Sequence, residues 1–150
     1  MKHLRIYVDT SVVGGCQDKE FEEDSLALME MAQRGKARLL ISQILADELK
    51  LAPDKAQKVL SDLPKKCLES VDLSEEARQL RNAYLVAGVV GKNQSADAYH
   101  VALATVARAD VIVSWNFKHI VHFDKIRGFN AVNLQEGYLP IDIRSPKEVA

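Results

Sequence analysis

The chain has 150 residues, 47% of them hydrophobic and 27% charged, with 20 Lys+Arg against 21 Asp+Glu for a formal net charge of −1. Those proportions describe a single globular domain, 1–150, with a sizeable core, and exclude a disordered or low-complexity chain. The near-neutral balance also argues against a protein that grips nucleic acid mainly through a basic face, though not against one whose hold on phosphate comes from a bound metal. No apolar run approaches the ~18–20 residues that span a bilayer. The basic amino terminus is interrupted by Asp9 before any signal-like segment develops. Cys16 and Cys67 stand alone, in no metal-like or disulfide-like spacing, as expected of a cytoplasmic protein.

Along the chain, residues 4–8 form a β-rich run that stops at Asp9-Thr10-Ser11, and Gly14 and Gly15 continue a turn. Residues 21–34 carry a helical apolar pattern closed by Gly35, and 37–41 read as a second strand. Ser42 is placed to cap a helix that runs to Pro53. A short helix over 54–63 and a weak strand over 67–73 follow. Ser74-Glu75-Glu76 opens a helix to about Ala87, and residues 88–91 end it. A strongly apolar helix spans 95–108, a fourth strand 111–114, and a fifth is expected at 131–134. Strands alternating with helices predict an α/β domain around a mainly parallel sheet of four to five strands. Ligands of such sheets bind beyond the carboxyl ends of the strands, where strand order reverses.

Four polar residues stand where folding alone would not ask for them. Asp9 ends the first strand, where a turn or cap role is an equal alternative. Asn116 holds the matching place after the fourth strand, so neighbouring strands would turn both toward one crevice. Glu48 falls, at roughly 100° per residue, in the arc of Ile44, Leu45, Leu49, Leu51 and Ala52. A carboxylate on an apolar face needs a partner or a metal, and a salt bridge to an Arg on another helix would serve. Asp97, the one carboxylate of the 95–108 helix, lies in its first turn, where it would also complement the helix dipole. Three carboxylates and an amide converging on one crevice repel one another without a cation. Oxygen donors select Mg²⁺ or Mn²⁺, and such a site suits phosphodiester hydrolysis.

The order and spacing of Val8-Asp9-Thr10-Ser11, Asp47-Glu48-Leu49, Asp97 through Ala104, and Val113-Ser114-Trp115-Asn116-Phe117 resemble those of PIN-domain nucleases. The closest likeness is to the toxins of VapC-type toxin–antitoxin pairs, and it covers nearly the whole chain. It implies a three-layer α/β/α fold and Mg²⁺- or Mn²⁺-dependent cleavage of single-stranded or loop RNA, with Asp9, Glu48, Asp97 and Asn116 as catalytic and metal-binding residues. It also implies an antitoxin partner, a homodimer and no membrane association. Asn116 occupies a position that is often Asp in that family, which removes a charge and would weaken a second metal site.

Thr10, Ser11 and Ser114 are supporting candidates. His100, three residues after Asp97, faces either the site or a helix contact. Lys118 and His119, with His122, Lys125 and Arg127, form either an RNA-phosphate contact or a solvated loop. Trp115 and Phe117 either stack on bases or join the core. Lys55, Lys58, Lys65 and Lys66 form either a guide for RNA or an exposed charged face. The alternative to an active toxin is a catalytically weak or inactive PIN-like module that binds RNA or protein. A small-molecule phosphatase is disfavoured because Ser11 stands where an Asp-x-Asp motif would need its second acid.

Overall fold

The computed structural model describes residues 3–150. Five strands, β1 (Leu4–Val8), β2 (Ala37–Ser42), β3 (Leu68–Val71), β4 (Val111–Val113) and β5 (Ile143–Arg144), form one sheet in the order β3-β2-β1-β4-β5. Every pairing is parallel. The helices are α1 (Thr10–Gly15), α2 (Glu22–Gln33), α3 (Gln43–Lys50), α4 (Asp54–Ser61), α5 (Glu75–Val86), α6 (Ser95–Val106), α7 (Phe123–Gln135) and α8 (Pro146–Val149).

Strand alternation splits the core into two layers. Ile6, Val8, Leu39, Val111 and Val113 face α1 to α4, whereas Tyr7, Leu40 and Ile112 face α5, α6 and α7. Ile6, Tyr7 and Val8 are wholly buried, as a central parallel strand covered on both faces requires. At the first layer, α1 approaches closely. A Cβ on Gly15 would lie 2.6 Å from Ser25 Oγ and 2.9 Å from Trp115 Nε1, so only glycine fits.

Two predicted elements are corrected. Residues 131–134 belong to α7, with Phe129, Val132 and Asn133 buried at helical spacing. The fifth strand is Ile143–Arg144, only two residues long. Residues 10–15, read as turn, form α1, whose Val12 and Val13 are buried against the sheet. The caps hold as expected: Ser42 Oγ accepts from Leu45 N–H at 3.3 Å, and Ser74 Oγ from Ala77 N–H at 3.1 Å. Among the described residues no helix is long and apolar enough to cross a membrane. Cys16 and Cys67 are free and buried.

Candidate functional site

In this topology the chain runs outward from β1 to β2 to β3, then crosses to the other side of β1 as β4. The strand order therefore reverses between β1 and β4, and their carboxyl ends flank the crevice. Val8 pairs with Val113, which sets Asp9 beside Ser114.

Asp9 is 4% exposed. Its Oδ1 accepts from Ser11 Oγ and its Oδ2 from Ser114 Oγ, both at 2.6 Å. Ser11 Oγ in turn accepts from Trp115 N–H, and Ser114 Oγ from Asn116 N–H, each at 2.9 Å. The two serines thus lock the carboxylate to both strand ends. Burial pushes the Asp9 carboxyl above its ordinary range, while the neighbouring His100 ring and the two hydroxyls pull it back.

Asp97, in the first turn of α6, is half-buried. Burial raises its pKa first, and the charge of Asp9 raises it further. His100, His119 and a hydrogen bond with the Asn116 side chain act in the opposite direction. Asn116 Oδ1 is itself taken by His119 N–H at 2.9 Å, so Asn116 ties the loop after β4 to the start of α6. Among the described residues no ion pair reaches Asp9 or Asp97.

Glu48 differs from its expected setting. Its helix stops at Lys50, Leu51 is 92% exposed, and the buried residues are Leu45 and Leu49. Glu48 therefore borders the apolar face instead of lying at its middle. Its partner is a histidine, not an arginine: Oε1 accepts from His100 Nε2 and from Thr10 Oγ1, both at 2.9 Å. The His100 hydrogen bond holds the Glu48 carboxyl below its ordinary range, and Thr10 adds to this against a burial penalty. His100 is buried on the sheet side of α6 and also meets the Tyr7 hydroxyl through Nδ1 at 2.7 Å. His100 thus joins α6 to both β1 and α3. Tyr7, a tyrosine in a central strand, reads from the sequence as core.

Trp115 is a packing residue, stacked on Phe21 at 4.3 Å between ring centroids and donating to Ser25 Oγ at 2.8 Å. Phe117 and Lys118 are exposed, as is Phe123, which carries the Arg127 guanidinium 5.4 Å from its ring centre. Lys125 is engaged by the Val89 carbonyl at 2.8 Å. The four lysines after Glu48 do not form one strip. Lys55 and Lys58 lie on α4, whereas Lys66 lines a hollow with Ala37 and Arg38 at the opposite end of the sheet.

The donor set suits a hard divalent cation in part. Asp9 and Asp97 are two oxygen donors raising each other's energy, which a cation would relieve. Mg²⁺ is commonly held by one or two carboxylates plus water and phosphate oxygens. Among the described residues no three His, Cys, Asp or Glu side chains gather into a site that would hold a metal.

No protein-family model and no curated protein matches the sequence. Solved structures do. VapBC2 from Rickettsia felis, crystallised bound to a DNA fragment from its promoter, aligns with a TM-score of 0.58 at 15% identity, over 93% of this chain and 98% of that one. FitAcB from Neisseria gonorrhoeae aligns with a TM-score of 0.58 at 16% identity, over 95% and 98%. At such identity the likeness is one of fold, and it extends over the whole domain. The chain therefore shares the α/β fold of these two structures, with helices on both faces of a parallel sheet, the fold class that the motifs implied.

Proposed function

We propose that the protein is a metal-dependent endoribonuclease of the VapC toxin kind. The observation that carries this reading is the pair Asp9 and Asp97 at the reversal point of the sheet, where the charge of Asp9 raises the Asp97 carboxyl and, among the described residues, no ion pair reaches either. Asp9 and Asp97 would hold Mg²⁺ or Mn²⁺, with Glu48 and Asn116 at the edge of the site. The ion, when bound, supplies charge neutralisation at the phosphate and a water of lowered pKa. The chain's own residues do the rest. Ser11 and Ser114 fix both oxygens of Asp9, Glu48 presents a carboxylate to solvent, and Lys118 and His119 lie where an RNA phosphate would approach. The exposed Phe117 suits base stacking. The fold shared with VapBC2 leads us to expect an antitoxin partner, and the family resemblance a homodimer in light scattering.

The test is cleavage of labelled structured RNA by the purified protein with Mn²⁺ or with EDTA. Wild type should cut only with metal, and Asp9→Asn and Asp97→Asn should each fall at least ~100-fold. Cleavage that survives both substitutions overturns the proposal. One observation favours a second reading, a binding module without catalysis: the Asn116 amide already hydrogen-bonds Asp97, a position at which the family often has a further acid. RNA retention without cleavage, unaffected by EDTA, would establish that alternative.

A further inference from the structure

We infer that Tyr7 and His100 are positioning residues for Glu48. A continuous buried line of hydrogen bonds runs from Ser42 Oγ to the Tyr7 hydroxyl at 2.9 Å, from there to His100 Nδ1 at 2.7 Å, and from His100 Nε2 to Glu48 Oε1 at 2.9 Å. This inference rests on the nuclease reading for its kinetic consequence, but not for its spectroscopic one.

The line joins three elements, the ends of β1 and β2 and the middle of α6, to Glu48 on α3. Tyr7 is fully buried, and Ser42 and His100 are each 2% exposed. The rest of the buried face of α6 is apolar except Thr105. A leucine at position 100 together with Tyr7→Phe would fill that layer with apolar groups, and replacing both members of a buried polar pair by apolar groups of the same shape is close to neutral for stability. The imidazole is therefore not needed for packing. What it provides is direction: a carboxylate only accepts, so the Nε2–H points at Glu48, and Thr10, the neighbour of Asp9, donates to the same oxygen. Oε2 takes no hydrogen bond from a described residue, and the Glu48 side chain is 41% exposed. One oxygen is anchored and the other is left open, with the rotamer freedom of the glutamate already spent before substrate arrives.

The experiment compares His100→Gln, which keeps an amide N–H where Nε2 stood, with His100→Asn, which keeps a partner for Tyr7 but loses the donor to Glu48. On RNA with Mn²⁺, His100→Asn should lose roughly 10–100-fold in kcat with little change in KM, the range typical of partners that orient a ligand. His100→Gln should retain most of the activity, and Tyr7→Phe should fall between them. His100→Asn added to Glu48→Gln should cost nothing further. Gln and Asn variants equally impaired, or both unimpaired, would overturn the assignment.

Long-range ¹H–¹⁵N spectra of the metal-free protein read the same contact without activity. They should show the His100 proton on Nε2, with a shift that moves in Glu48→Gln, and a bare Nε2 would refute the strut. Should the wild type prove inactive, the nuclease reading fails, while these spectra still decide this one.

Discussion

The two ends of the central sheet treat charge in opposite ways. At the amino end, Arg5 donates to both oxygens of Glu69, at 3.2 and 2.5 Å, and to the carbonyls of Ala107 and Arg108 at 3.0 and 2.9 Å. Its backbone N–H is taken by Asp110 at 2.8 Å. Glu69 and the carbonyls just past the end of α6 thus each have a donor. At the carboxyl end, Asp9 and Asp97 have hydroxyls, an amide and nearby histidine rings but, among the described residues, no ion pair, and each carboxyl is held above the ordinary range. One end is built to be stable as it stands. The other stores electrostatic cost that a ligand of positive charge would remove, as functional sites commonly do.

This contrast can be broken by substitution. Arg5→Ala should have the largest effect on stability, about 2 kcal/mol, because it strands Glu69 and two carbonyls while leaving the acidic crevice intact. Thermal unfolding should show a drop of roughly 5 °C. Gly15→Ala should cost about 1–2 kcal/mol by forcing Ser25 or Trp115 aside, seen as a shift in Trp115 fluorescence together with a lower Tm. At the carboxyl end the sign reverses. Asp97→Asn should stabilise the metal-free protein by about 1 kcal/mol in urea unfolding at neutral pH, the gain expected when strain at a site is relieved, while abolishing cleavage.

The smallest expected effect is the pH dependence. Folded-state pKa values of Asp9 and Asp97 are raised, so their contribution to stability is fully present below the ordinary value of about 3.9 and is lost as pH rises through the raised values. The advantage of Asp97→Asn should therefore shrink toward zero as the pH is lowered to about 4. Glu69 is lowered by its hydrogen bonds and charge contact with Arg5, against a burial penalty. Its contribution is present above about 4.3 and lost as pH falls through its folded value. Glu69→Gln should thus destabilise at pH 7 and approach the wild type in acid. Parallel trends in the two variants would refute the contrast between the ends.

Much of this was legible in the sequence, and the exceptions have physical causes. The abrupt end of β1 at Asp9, the serine caps and the first-turn acid of α6 are local signals, and the structure retains each. Strand β5 is only two residues long and leaves no period to detect. The helix α1 contains two glycines and is held by tertiary packing of Val12 and Val13, which a local reading cannot register. At the site, the convergence of Asp9, Asp97 and Asn116 followed from their places at strand and helix ends. The environment of Glu48 did not, because helical periodicity assumed that the helix continued through Leu51. Tyr7 escaped notice for a related reason: its hydroxyl matters only once α6 is laid across the sheet.

The bond from Ser114 to Asp9 closes over 105 positions of chain. Ser114 leaves the ribosome 105 positions after Asp9, so the clamp on Asp9 and its neighbour strand β4 are not made until that stretch has followed. Parallel pairings of this separation form slowly, and a growing chain held short of residue 114 can possess β1 to β3 without possessing a site. Under the proposed nuclease reading, that ordering would defer activity until the stretch through Ser114 has been made.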